Sequence, residues 1–128
     1  QMRQIMTNMV TNAIKFTLPD VAPHIIISCK TAKGSTFNEE IALLSTEKLS
    51  PKKEYCRITF KDNGIGFDPA YSQRIFQLFQ RLHGRSQYTG TGIGLAICHR
   101  IMQNHNGTIL AEAVPNQGAT FTMRWPVA

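Results

Sequence analysis

No stretch of this chain is apolar over anything like the roughly 20 residues that a bilayer-spanning helix needs. The first residues also lack the basic, apolar and small-residue succession of a secretory signal. Cysteine is scarce. Cys29, Cys56 and Cys98 are odd in number and have no C-x-x-C spacing, which predicts reduced, buried thiols in a cytoplasmic protein. Acidic residues are few, 8 against 14 Lys and Arg, giving a formal charge of +6 and a pI near 9.6. That balance suits a polyanion but does not choose between nucleic acid and nucleotide. No basic run with interleaved aromatics is present, which argues against nucleic acid as the partner. What remains, 128 residues at 42% hydrophobic, is enough for one globular domain with a real core.

The chain opens inside a helical pattern, Gln1 to Phe16, with Ile5, Met9, Ala13 and Phe16 at helical spacing and Met2, Met6, Val10 and Ile14 beside them. Nothing like a start cap precedes it, so the chain reads as cut from a longer one. Leu18-Pro19-Asp20 ends this helix. His24–Thr31 is isoleucine-rich and reads as a strand. Residues 32–54 are mostly polar, with Ile41, Leu43 and Leu44 among their few apolar side chains, and read as a long, partly ordered connection or extended hairpin tip. Tyr55–Lys61 is the next strand. Asp68-Pro69 is an N-cap with proline at the first helical position, predicting a helix over Pro69–Leu82. His83–Thr89 has little periodicity and reads as a mobile loop. A helix over Leu95–Asn104 follows, then a hairpin of Thr108–Val114 and Ala119–Val127 around Pro115-Asn116-Gln117-Gly118. The order α-β-β-α-α-β-β predicts a two-layer α/β sandwich.

Two glycine clusters of different kinds punctuate this order. Asp62-Asn63-Gly64-Ile65-Gly66-Phe67 follows a strand and carries a carboxylate at its entrance. Gly90-Thr91-Gly92-Ile93-Gly94-Leu95 leads into a helix, whose first N–H groups and positive dipole end suit an anion. The division fits a nucleotide, with the base at the first cluster and the phosphates at the second. A carboxylate at Asp62 can accept the exocyclic amino group of adenine, whereas guanine would turn a carbonyl oxygen toward it. A plain Asp-Asn-Gly turn between strands carries the same three residues. The second cluster is not a dinucleotide fingerprint, because no strand directly precedes it, nor a P-loop, because no lysine follows. Asn8, Asn12 and Lys15 share one face of the first helix. Such an amide–ammonium stripe suits phosphate and Mg²⁺, although a hydrophilic solvent face would look the same.

The order of these elements is more specific than any one of them. N-x-x-x-N-x-x-K, then D-N-G-x-G, then Ile75-Phe76-Gln77-Leu78-Phe79, then G-T-G-x-G-L, resembles the catalytic ATP-binding domain of sensor histidine kinases, in the GHKL superfamily. The resemblance covers the whole chain except a first family strand. The wording from Phe76 to Gly84 looks most like phytochrome-type kinases. It implies a Bergerat-type α/β (α+β) two-layer sandwich, with a mixed sheet on one side and about three helices on the other. ATP would lie between the helices and a lid over residues 83–91. On matching positions, Asn12 would bind Mg²⁺, Asn8 and Lys15 would contact phosphates, and Phe16 would lie near the adenine. Asp62 would hold the adenine amino group, with Gly64 and Gly66 giving the base room. Gly90, Thr91, Gly92, Gly94 and Leu95 would wrap the triphosphate at the helix entry. Thr120 matches a threonine that supports the adenine site through water. Arg81 matches a phosphate-reaching basic residue, with Arg85 competing for the role, while Phe76 and Phe79 pack.

The superfamily's ATPase branches place a glutamate where this chain has Asn8. An amide cannot be a general base, so hydrolysis should be slow and transfer to a better nucleophile, such as a neutral imidazole, is favoured. None of His24, His83, His99 and His105 is followed by the acidic residue typical of the family's phospho-acceptor helix. The resemblance therefore implies that residues 1–128 are a catalytic domain whose histidine partner sits on a separate dimerisation domain. A receiver domain would lie further downstream, and the parent protein would be a homodimer of which this piece is monomeric. Two other readings fit a similar fold. One is a serine-kinase anti-sigma factor, the other a catalytically silent nucleotide- or partner-binding module.

Overall fold

The computed structural model describes residues 2–68, 70 and 92–127. Four strands form one sheet: β1 (Ile25–Lys33), β2 (Glu54–Asp62), β3 (Thr108–Val114) and β4 (Gly118–Pro126), in the order β1-β2-β4-β3. All three pairings are antiparallel, with Phe60 opposite Phe121 and Ile109 opposite Met123 fixing the central register. Side chains alternate between faces along each strand. Phe60, Phe121, Met123, Ile109 and Ala111 therefore share one face, and this face packs on helices α1 (Met2–Lys15) and α3 (Gly92–Asn104). Ile5 and Met9 from α1 meet Leu95, Cys98, Ile101 and Met102 from α3 in a single buried cluster. The expected α/β two-layer sandwich is present.

Helix ends follow the local chemistry. After α1 the chain turns through Asp20, which adopts φ 61°. Helix α3 closes with Asn106 at φ 58° and the Gly107 N–H bonded to the Met102 carbonyl at 2.7 Å. That left-handed stop satisfies carbonyls that have no partner within the helix. The β3–β4 turn is equally tight, with Asn116 at φ 64° and Gly118 at φ 119°.

The connection between β1 and β2 corrects the sequence reading. It contains a third helix, α2 (Gly34–Ile41), in a segment expected to be a partly ordered connection. Its start has no side-chain cap. The Gly34 and Ser35 N–H groups instead bond to the Lys53 and Pro51 carbonyls, 16 or more residues away in the chain. Asn38 exchanges two amide bonds with Leu49, at 2.7 and 3.0 Å, and so pins the returning strand to the helix. Phe37 and Ile41 are fully buried with Leu49 and Tyr55.

This second cluster lies on the face of the sheet opposite α1 and α3, because Tyr55, Arg57 and Arg124 alternate with Cys56, Ile58 and Met123. The described helices are thus split two and one between the faces. The expected helix over Pro69–Leu82 lies outside the described residues, apart from Ala70. There Asp68 accepts the Ala70 N–H at 2.9 Å, the bond of an N-cap. Arg57 and Arg124 lie side by side over the Phe37 ring, each 5.4 Å from its centroid. Glu40 bridges both guanidinium groups, at 2.7 and 2.8 Å. Burial opposes ionisation of Glu40, but the two arginines outweigh it and hold the carboxyl below its ordinary value.

Truncating Phe37 removes a sealed ring and uncovers two stacked cations. Phe37→Ala should destabilise the fold by roughly 3–5 kcal/mol, read as a lower urea midpoint at unchanged slope.

Candidate functional site

Asp62 ends β2 on the helix-covered side, where the strand gives way to the glycine loop. Its Oδ1 accepts the Gly64 N–H at 2.9 Å and the Ala119 N–H of β4 at 3.2 Å. Among the described residues, Oδ2 has no hydrogen-bond partner. Burial pushes the Asp62 carboxyl above the usual carboxylate range, against the opposing pull of the two backbone N–H groups. A half-buried carboxylate with one oxygen held and the other unused is arranged to accept a donor from a ligand.

The rest of the loop is clamped between two neighbours. The Ile65 N–H bonds to the Phe16 carbonyl at the end of α1 (2.8 Å), and the Ile65 carbonyl accepts the Asn116 N–H of the β3–β4 turn (2.7 Å). Asn63 accepts the His24 N–H at 2.8 Å and donates to the Ala22 carbonyl at 3.1 Å, fixing the approach to β1. A Cβ on Gly64 would strike the Phe16 carbonyl, and one on Gly66, at φ 64°, would strike the Val114 and Gly118 carbonyls. These two glycines are needed by the packing of the loop itself, where room for a base had been expected of them. Gly66 also lines the pocket; Gly64 does not.

The pocket lies between α1, the loop, α3 and β4. Asp62 and Asn12 are its polar walls, and Phe16, Ile65, Phe67, Leu95 and Phe121 its apolar ones. Its free space is about 20 Å³, enough for a single water. Asn12 sits in the apolar stripe of α1 with Ile5, Met9 and Ala13, and is only 7% exposed. Its side-chain nitrogen is buried and has no hydrogen-bond partner among the described residues. A plain solvent face does not account for such a residue, since a buried amide left unbonded costs about 1–3 kcal/mol.

Asn12, Phe16, Asp62, Gly66 and Leu95 therefore come together as expected. Asn8 is half-buried one turn earlier on α1, its amide 3.9 Å from the Cys98 sulfur, and Lys15 is exposed at the end of α1. Gly92 and Gly94 lie in the first turn of α3. Arg81, Gly90 and Thr91, with Phe76, Phe79, Arg85 and the rest of the 83–91 lid, fall outside the described residues. Thr120 is not brought to the pocket. It pairs with Lys61 and turns to the opposite face, where it lines a groove with Glu112 and Thr122. Ala119 takes the pocket position, and its N–H meets Asp62. Counting back by two from Phe121 would have placed Ala119 there. The apolar walls Ile65, Phe67 and Phe121 were likewise not among the expected site residues.

This geometry has known counterparts. The family model described as histidine kinase-, DNA gyrase B- and HSP90-like ATPase matches residues 1–128, and the chain belongs to that family. It is a histidine kinase-type ATP-binding domain, with phytochromes and sensor histidine kinases among its relatives. Cyanobacterial phytochrome A of Nostoc sp. is 42% identical over 127 residues, and a phytochrome-like protein of Synechocystis sp. is 37% identical over 127; each alignment covers 99% of this chain. The chain spans 14% of the length of either relative. Among solved structures, full-length ShkA in complex with AMPPNP has a TM-score of 0.68 at 26% identity, covering 99% of this chain and 21% of that one. The nucleotide-free catalytic domain of histidine kinase ThkA has a TM-score of 0.62 at 25% identity, covering 98% and 66%.

A carboxyl raised by burial favours the fold when protonated. Its contribution is complete below the ordinary aspartate value and is lost as pH rises through the folded one. Asp62→Asn keeps an oxygen for Gly64 and Ala119 but removes the charge. The ligand-free variant should melt at an equal or higher temperature than the parent at pH 7, and the difference should vanish toward pH 3. A variant that melts lower at pH 7 would show the charge to be stabilising.

Proposed function

We propose that this chain binds Mg-ATP in the Asp62 pocket and passes the γ-phosphate to a histidine on a separate dimerisation domain of its parent protein. The observation that carries the reading is one pocket lined by a carboxylate with one oxygen, and a buried amide with its nitrogen, lacking partners among the described residues. Asp62 Oδ2 accepts the adenine amino group, and the apolar walls sandwich the ring once their side chains part to widen the cavity. Guanine turns an acceptor toward the same carboxylate and is rejected.

The residues fit a metal that arrives with the nucleotide. No group of three or more His, Cys, Asp or Glu side chains among the described residues could hold an ion. Mg²⁺ keeps several waters and binds through phosphate oxygens, needing few protein ligands. Asn12 would supply one amide oxygen, and the ion would neutralise charge on the phosphates. Lys15 and Asn8 lie on the same helix to contact the phosphates, and Arg81 with Gly90, Thr91, Gly92 and Gly94 would complete their cradle. Asn8 stands where a hydrolase needs a base, and an amide takes no proton. Transfer then depends on positioning and charge neutralisation, with the incoming imidazole as nucleophile.

The complex of ShkA with AMPPNP, an ATP analogue, supports the ligand class. The longer kinases that this chain matches support a partner domain elsewhere in its parent, with a receiver domain downstream in a two-component system. No described helix is long and apolar enough to cross a membrane, and we place the domain in the cytoplasm.

The decisive assay mixes the chain, Mg-ATP and the dimerisation domain of its parent, and looks for acid-labile phosphate on that domain. No such phosphate, with ATP nonetheless bound, would leave a silent nucleotide-binding module. Phosphoserine on a partner would indicate a serine kinase instead. Asp62→Asn should weaken ATP binding roughly 10–100-fold by calorimetry and narrow the preference over GTP. Asn12→Ala should abolish Mg²⁺-dependent transfer while metal-free nucleotide binding survives.

A further inference from the structure

The third cysteine, Cys98, is sealed in α3, but the other two are not buried as a sequence of this composition predicts. Cys29 is exposed on β1, and Cys56 is half-buried on β2. The register pairs Thr31 with Cys56 and Cys29 with Ile58, so the two cysteines are diagonal neighbours on one face of the hairpin. Their sulfurs are 3.5 Å apart, one thiol donating to the other. Among the described residues strand β1 is a sheet edge, paired on one side only, so it can yield as the sulfurs approach.

We propose that Cys29 and Cys56 form a dithiol modification site that a hydroperoxide converts to an intramolecular disulfide. The Cys29 thiolate attacks the distal peroxide oxygen. The O–O bond breaks, the alcohol leaves with a proton, and Cys29 becomes a sulfenic acid. Cys56 sulfur then attacks the Cys29 sulfur, the S–O bond breaks and water departs. In sum, two thiols and one hydroperoxide give a disulfide, an alcohol and water. The thiols lose two electrons and the peroxide gains them.

The roles are unequal. Cys56 keeps its proton, pushed up to about 11 by burial, by its hydrogen bond to Cys29 and by the Cys29 charge. Exposed Cys29 is the group that meets the oxidant. Cys98 lies on α3, is fully buried and is held protonated by that burial, with a pKa of about 11. It serves as an internal control. The site does not depend on nucleotide binding.

The test treats the reduced chain with equimolar hydrogen peroxide, denatures it, alkylates it with iodoacetamide and weighs it. The three free thiols should fall to one, with a mass loss of about 2 Da before alkylation. Peptide mapping should join the peptides of Cys29 and Cys56, and dithiothreitol should restore all three thiols. In Cys56→Ser, dimedone should trap a sulfenic acid on Cys29, and in Cys29→Ser no crosslink should form. Three alkylated thiols after treatment would overturn the proposal. So would Cys29 driven to sulfinic acid with Cys56 untouched, or a crosslink found only between chains.

Discussion

One carboxylate oxygen ties together three parts of the chain that are far apart in sequence. Asp62 Oδ1 collects an N–H from its own loop and another from β4, 57 positions later. Without those bonds the end of β2, the glycine loop and the start of β4 would each carry unmet polar groups beside the core. The same bonds leave the second oxygen without a partner among the described residues, on a residue that lines the pocket. The fold thus holds a half-buried acid against its own desolvation, a cost that protonation or an incoming donor can relieve. Sites of this kind trade stability for recognition.

The sheet makes that trade tolerable. Asp62 and Ala119 belong to β2 and β4, the two central strands, each hydrogen-bonded on both sides. One face of these strands carries the main core, and α2 anchors the other through Phe37, Glu40 and the paired arginines. Positions within hydrogen-bonded strands, packed on both faces, are the last to open in local fluctuations. The recognition element is therefore mounted where the backbone moves least.

Much of this was legible in residue order. The repeat of Ile5, Met9 and Ala13 gave α1, the Asn116–Gly118 turn gave the last hairpin, and the motif order pointed to the family. What escaped notice has physical causes. Helix α2 hid because its caps come from Pro51 and Lys53, not from a local Ser, Thr or Asp, and because beside the buried Gly34 only Phe37 and Ile41 of its eight residues are buried. Thr120 was misplaced by one residue, which in a strand means the opposite face. Asn12 looked like part of a polar stripe, yet the helix turns it inward beside Met9 and Ala13. The meeting of Cys29 and Cys56 is set by strand register, which no spacing within the sequence encodes.

The glycines of D-N-G-x-G have an evolutionary consequence. A Cβ on Gly64, Gly66 or, across the pocket loop, Gly118 would strike a carbonyl of a neighbouring segment, and two of the three hold a positive φ. A descendant that abandoned its chemistry would still need them to fold, so the glycine signature alone is a poor witness to surviving activity. Asn12 is different: an interior amide without a bond weakens the fold, and drift toward alanine or leucine would be rewarded once the ligand was lost. Whether a pseudoenzyme has arisen on this scaffold is best judged by that one position.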